Sequence, residues 1–126
     1  MKEEQKKNRA KLVAALRSGE YKQTKNCLYD GEGYCCLGVA CDIFSKEVGG
    51  EFVIDNGHYY FRYNDGENKN YLLGEVREFF GFETRSGSFT TENGDIKNLA
   101  LLNDDYGKSF LEIADIIESE PEGLCE

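Results

Sequence analysis

The sequence predicts a single α+β domain over residues 1–126, in which β-hairpins pack against three or four helices. A chain of this length is expected to fold around one hydrophobic core. Apolar residues make up 40% of the chain and aromatic residues 13%, which is enough to form that core. Segments with helical spacing also alternate with segments that have the spacing and the turns of hairpins.

The first quarter of the chain predicts a helix followed by an extended segment. The helix should run from Glu3 to Ser18 and end at Gly19, with one stripe formed by Arg9, Leu12, Val13 and Leu16. If the next segment is extended, one of its faces carries Tyr21, Gln23, Lys25, Cys27 and Tyr29.

The middle of the chain predicts a buried helix and a hairpin. After the turn at residues 30–33, apolar residues recur at helical spacing from Cys36 to Val48, and the Gly49-Gly50 pair ends this helix. Two strands at residues 51–54 and 58–63 are joined by Asn56-Gly57, which favours a tight hairpin turn. A short helix follows at residues 72–80.

The last third predicts a second hairpin and two helices. The hairpin turns at residues 92–94, and the spacing of residues 95–102 is better described as helical than as alternating. The final helix begins after Ser109, which forms an S-x-x-E capping box with Glu112, and it ends before Pro121.

Charge is distributed unevenly along the chain. Residues 1–25 contain eight Lys and Arg against three Glu, a net charge of +5, whereas the other 101 residues contain seven against 21, a net charge of −14. The acidic part should repel a long nucleic acid, because affinity for nucleic acid depends largely on neutralising phosphates. A small anion can still bind in a basic cleft, and the N-terminal quarter is where we expect one. The segment from Lys2 to Lys11 is most simply a solvated helix face.

The five cysteines indicate reduced thiols. Their number is odd and no secretory signal precedes them, so we expect a cytoplasmic protein without disulfides. Cys35 and Cys36 are adjacent, and His58 is the one histidine that could complete a metal site, so no metal or other cofactor is expected. The segment CCLGVAC is typical of a core helix. No apolar run is long enough to span a membrane.

The segment from Arg17 to Lys25 contains residue types that suit a nucleotide. Arg17 and Lys25 can bind phosphate, Gln23 can bind a base edge and Tyr21 can stack on a ring. The same residues also occur in ordinary exposed strands, so both interpretations remain open.

The connection between the last two helices is a second candidate site. It carries Asn103 and Asp104, followed by Lys108 and Ser109 at a helix start. Gly107-Lys108-Ser109 is not a P-loop, because Leu102 occupies the position of the required glycine. The free amides of a helix start can bind a phosphate, whereas Asp104 would oppose an anion and could accept hydrogen bonds from a nucleobase amine. The alternative is a tight structural turn.

Three stretches together carry a resemblance to a known family: ALRSGEYKQTK at residues 15–25, GYCCLGVACD at 33–42 and LLNDDYGKSFLEIADIIE at 101–118. They resemble a widespread family of small proteins of tailed bacteriophages, and the chain is similar to the anti-CBASS sponges, which sequester cyclic dinucleotide signals of bacterial immunity without degrading them. The resemblance implies a homo-oligomer, a dimer or a tetramer, in the cytoplasm of the infected host, with ligand pockets between protomers and no cofactor. A symmetric pair of protomers would then present Arg17, Gln23 and Lys25 twice.

Two other functions are compatible with the sequence. The protein could inhibit a host protein through its acidic C-terminal surface, which includes Asp115, Glu118, Glu120 and Glu122. It could also be a small hydrolase of a nucleotide signal that uses Asp104 or His58, although no catalytic pair is evident.

Overall fold

Five helices and two small antiparallel sheets form one α+β domain in the computed structural model, which describes residues 2–126. The helices are α1 (Lys2–Arg17), α2 (Cys36–Glu47), α3 (Gly74–Phe80), α4 (Leu99–Asp104) and α5 (Phe110–Ser119). The strands are β1 (Glu51–Asp55), β2 (His58–Tyr63), β3 (Gly66–Asn68), β4 (Ser88–Thr90) and β5 (Ile96–Asn98). The predicted fold class is confirmed, with one helix more than the three or four expected.

The core lies between the helices and the inner face of the larger sheet. Helix α1 packs against α5, α2 and α3, and α2 packs against α3 and α4. The stripe predicted for α1 is confirmed, since Arg9, Leu12, Val13 and Leu16 are all buried. Helix α2 is buried along most of its length, as its apolar sequence predicted.

Helix α1 also provides polar side chains to the end of α3. Gln5 Nε2 donates to the carbonyl of Glu78 at 2.8 Å, Asn8 Nδ2 to that of Phe79 at 2.7 Å and Arg9 Nη1 to that of Phe80 at 2.6 Å. The last carbonyls of a helix have no partner within the helix, so these three donors cap α3. The segment from Lys2 to Lys11 is therefore not simply a solvated face, because Asn8 and Arg9 are buried in this contact.

Both hairpins turn at the residues predicted from the sequence. Strands β1 and β2 pair with Asp55 opposite His58, so the tight turn is at Asn56-Gly57 as predicted. Strand β3 adds to the other side of β2, and the sheet order is β1-β2-β3. Strands β4 and β5 form a separate hairpin around Gly94.

The extended segment predicted at residues 21–29 is a loop, so its side chains do not alternate along one face. Only single bridges join Gln23 and Tyr29 to Tyr34. Asn26 has a φ of 69°, a left-handed conformation that interrupts a strand. The prediction of a strand here was wrong because the alternating polar residues bond to other parts of the chain.

The helix predicted at residues 95–102 is divided between two elements. Residues 96–98 pair with β4, and α4 begins only after Asn98, whose side chain accepts a hydrogen bond from the Leu101 amide at 2.8 Å. An asparagine at this position caps a helix and stops it from extending backwards. The final helix matches its prediction, including the capping box of Ser109 and Glu112.

Candidate functional site

A broad groove of about 910 Å³ lies between the β4–β5 hairpin, the α4–α5 connection and the end of α5. We call it the hairpin groove. Its floor is apolar and its walls carry amino, hydroxyl and phenol groups; the residues used below are Thr90, Thr91, Lys97, Tyr106, Lys108 and Ser119. Ligand pockets in proteins commonly measure roughly 300 to 1,000 Å³ and combine an apolar lining with a few polar groups.

A cation and an aromatic ring meet in the hairpin groove. The Lys97 ammonium lies 4.6 Å from the centroid of the Tyr106 ring, a cation–π contact. Tyr106 is 56% exposed although its ring is large and apolar. Lys108 adds a second ammonium group, 3.7 Å from a Glu112 carboxylate oxygen. Two carboxylates, Glu92 and Glu122, line the same groove. The groove can therefore offer ammonium groups to an anion and an aromatic face to a planar ring.

A second groove of about 570 Å³ runs between α1 and α5 and contains Arg17. The Arg17 guanidinium donates to Asp115 at 2.6 Å and to Glu118 at 3.0 and 3.2 Å. These bonds raise the pKa of Arg17 and lower the pKa of Glu118. Phosphate binding by Arg17 would first require that two carboxylates be displaced.

Gln23 and Asn103 meet in the interior, although 80 residues separate them. Gln23 Nε2 donates to Asn103 Oδ1 and to the Lys108 carbonyl, both at 2.8 Å, and Gln23 Oε1 accepts from the Phe110 amide at 3.1 Å. Asn103 is completely buried, and its Nδ2 donates to the Thr24 carbonyl at 2.8 Å. The side-chain amide of Gln23, which was expected to bind a base edge, therefore already makes three hydrogen bonds within the protein.

The amides of Ser109, Phe110 and Glu112 at the start of α5 also have partners within the protein. Besides the Phe110 amide, the Ser109 amide donates to Glu112 Oε1 at 3.0 Å, and the Glu112 amide donates to Ser109 Oγ at 3.2 Å. Asp104 Oδ1 accepts from the Asn26 amide at 2.8 Å and from Asn103 Nδ2 at 3.0 Å. Phosphate at this helix start or a base amine on Asp104 would compete with these bonds, so the structural interpretation of the connection fits the geometry better.

Tyr21 and Lys25 lie away from both grooves. The Tyr21 hydroxyl donates to Asp42 at 2.5 Å, and burial together with this bond raises the pKa of Tyr21 to about 12. Lys25 is exposed and makes no ion pair with residues 2–126. The structure therefore does not bring the predicted residues into one site within a protomer: Arg17 and Lys108 line different grooves, and Gln23 and Asn103 form an internal network.

Lys97 and Tyr106 were not among the residues predicted from sequence. Tyr106 lies in the connection that the sequence predicted as a candidate site, two residues before Lys108. Lys97 could be found only from the hairpin register, which pairs it with Phe89 and turns both residues toward the groove.

The structure also gives the positions of four cysteines and of His58, one of the two residues named for the hydrolase. Burial raises the pKa of the Cys35 thiol to about 12 and raises those of Cys36 and Cys41 strongly. Cys27 and His58 do line one small cavity of about 100 Å³, where burial and two nearby carboxylates raise the pKa of Cys27. Over residues 2–126, no group of three or more His, Cys, Asp and Glu is placed to hold a metal ion.

Two arginines of α1 pair with carboxylates of the acidic C-terminal surface. Asp115 and Glu118 bind Arg17, and Glu120 binds Arg9 at 2.9 Å. Three of the four carboxylates expected to contact a basic host protein are thus paired within the domain. No helix in the described part of the chain has the length and apolar character needed to cross a membrane.

Comparison with known proteins adds one match. Neither a curated protein nor a solved structure matches the chain. A family model described as "Domain of unknown function (DUF8296)" matches residues 1–121, which is nearly the whole chain. The protein therefore belongs to the family described as Domain of unknown function (DUF8296).

Proposed function

We propose that the protein is a phage-encoded immune-evasion factor that binds cyclic dinucleotide signals of bacterial anti-phage defence and sequesters them without cleavage. The three sequence stretches resemble a family of small phage proteins, and the similarity of the chain to the anti-CBASS sponges supports the ligand class. The observation that carries the proposal is the hairpin groove, which combines two ammonium groups with an exposed tyrosine ring.

The chemistry of the hairpin groove matches the parts of such a ligand. A nucleobase can stack on Tyr106, as bases do on aromatic side chains of nucleic-acid-binding proteins. Lys97 and Lys108 can bind phosphate oxygens, and the hydroxyls of Thr90, Thr91 and Ser119 can hydrogen-bond to sugar or phosphate. Glu92 and Glu122 can accept hydrogen bonds from base amines.

Sequestration without turnover agrees with the state of the candidate nucleophiles. The thiols of Cys35, Cys36 and Cys41 are buried with raised pKa values, so they are poor sources of thiolate. The Asp104 carboxylate accepts two hydrogen bonds within the protein. A sponge needs affinity and capacity, neither of which requires these groups to react.

We also propose that the protein is a homo-oligomer in which two protomers share one ligand. A cyclic dinucleotide has two bases and two phosphates, so two symmetry-related grooves could each bind one half of it. The open hairpin groove leaves room for a second protomer to cover the ligand. We therefore expect a stoichiometry of one ligand for each pair of protomers.

The test is incubation of the protein with a panel of cyclic dinucleotides, followed by gel filtration, heat denaturation and mass spectrometry of the released ligand. The expected result is intact ligand that co-elutes with the protein. Tyr106→Ala and Lys97→Gln should each abolish retention, whereas Lys69→Gln should not. Lys69 is a matched control because its ammonium lies 5.9 Å from the Tyr60 ring, outside the groove.

Three results would contradict the proposal. Cleaved nucleotide would identify a hydrolase, and failure of every cyclic dinucleotide to bind would exclude sequestration. Retention that survives both groove variants would place the ligand elsewhere.

A further inference from the structure

In the hairpin groove, Lys97 occupies the position that a stacked ligand ring would need. Its ammonium stands 4.6 Å from the Tyr106 ring centroid, within the range of a cation–π contact. Tyr106 remains 56% exposed, so this contact covers only part of the ring. A planar ligand that stacks on the face of the ring covered by Lys97 must move the ammonium away.

The displaced ammonium is either hydrated by water or bound by an anion. A cation removed from an aromatic face loses its favourable contact, and a ligand anion within reach replaces that contact. A ligand that brings only a ring leaves Lys97 to water, so the cation–π contact is lost without replacement. A ligand that brings only an anion draws Lys97 toward itself and leaves the Tyr106 ring without its cation.

We infer that the Lys97–Tyr106 pair makes the hairpin groove selective for ligands that join a planar ring to an anionic group, and that it discriminates against free nucleosides and free sugar phosphates. This inference rests on the proposed function, because it assigns the selectivity of the same groove. Lys97 is a specificity-determining residue with two opposite effects: it competes with the ring and it attracts the anion.

Because the two effects are opposite, removing Lys97 should change the two affinities in opposite directions, whereas simple loss of a contact would weaken both. The probes are guanosine, ribose 5-phosphate and guanosine 5′-monophosphate, titrated into the protein and followed by isothermal titration calorimetry. For the unmodified protein, the monophosphate should bind at least tenfold more tightly than either fragment. In Lys97→Gln, guanosine should bind two- to fivefold more tightly, because its competitor is gone, and the monophosphate at least fivefold more weakly.

Further variants separate the ring from the cation. Tyr106→Phe keeps the aromatic face and should preserve the preference for the monophosphate, whereas Tyr106→Leu should remove it. Lys69→Gln, at the comparable pair with Tyr60, should change none of the three affinities. Circular dichroism establishes that each variant is folded.

The outcomes distinguish this inference from the proposed function. If Lys97→Gln weakens guanosine and the monophosphate by the same factor, Lys97 does not compete for the ring and the inference is wrong. If no cyclic dinucleotide is retained but the opposite effects of Lys97→Gln persist, the proposed ligand is wrong and the selectivity of the groove stands.

Discussion

Replacing Asn103 by alanine tests whether the Gln23–Asn103 network is a structural element of the fold. Asn103 has no exposed surface and makes four hydrogen bonds, with Gln23, Thr24, Asp104 and the Cys36 amide. These bonds hold the loop after α1 against α4 and against the start of α2. Alanine removes all four bonds without introducing a larger group.

The expected loss in the free energy of unfolding follows from the groups that lose their hydrogen bond to Asn103. Gln23 and Asp104 keep other hydrogen bonds, so the main losses are at the Cys36 amide and the Thr24 carbonyl. A buried unsatisfied group costs about 1 to 3 kcal/mol, and the lost bond to the partly buried carbonyl adds about 1 kcal/mol. The sum, about 2 to 4 kcal/mol, is a large part of the roughly 5 to 15 kcal/mol that stabilises a typical domain. It corresponds to a decrease of roughly 10 °C in Tm.

Urea unfolding followed by circular dichroism measures this change in the free energy of unfolding. Asn93→Ala is the matched control, since Asn93 is exposed in the β4–β5 turn and should change stability by less than about 0.5 kcal/mol. If Asn103→Ala were as stable as Asn93→Ala, the network would contribute nothing to folding. Gln23 and Asn103 would then be available for another role, and our interpretation of the site would be refuted.

Three further changes test other parts of the structure. Gly38→Ala would place a Cβ onto the Leu28 carbonyl oxygen, so we expect a loss above about 4 kcal/mol and little folded protein; normal yield and Tm would contradict this packing. Ser109→Ala removes the capping box and should cost about 1 kcal/mol in urea unfolding, whereas no change would show that the cap is not needed. The Thr24 hydroxyl and two backbone amides hold the pKa of Asp30 at about 2. Its stabilising contribution is present above pH ~4 and is lost as the pH falls toward 2, so Asp30→Asn should flatten this part of the stability curve; an unchanged curve would contradict it.

The helices and the first hairpin could be predicted because their signals are local. The stripe of α1, the apolar run of α2 and the capping box of α5 each lie within one element, as does the Asn56-Gly57 turn. The turn of the second hairpin was predicted at residues 92–94, but the extent of β5 was not, because its three residues are extended only through pairing with β4. For the same reason, the helical spacing of residues 95–102 predicted a helix that begins too early.

The candidate site was less predictable than the fold. Gln23 and Asn103 were predicted to contact a ligand, but amides that can read a base edge can equally bind a buried backbone. Arg17 was expected to bind phosphate, and the sequence does not show that α5 brings two carboxylates to it. Lys97 meets Tyr106 only in the folded chain.

The position of α1 constrains when the domain can finish folding. Its apolar stripe packs against α5, and Arg9 binds both the end of α3 and Glu120. While the ribosome synthesises the chain, the first helix therefore has no complete binding surface until residues near 120 have emerged. Until then Leu12, Val13 and Leu16, which are buried in the folded domain, lack the part of that surface that α5 provides. We conclude that this helix docks late, and that it is the segment for which a chaperone would compete during synthesis.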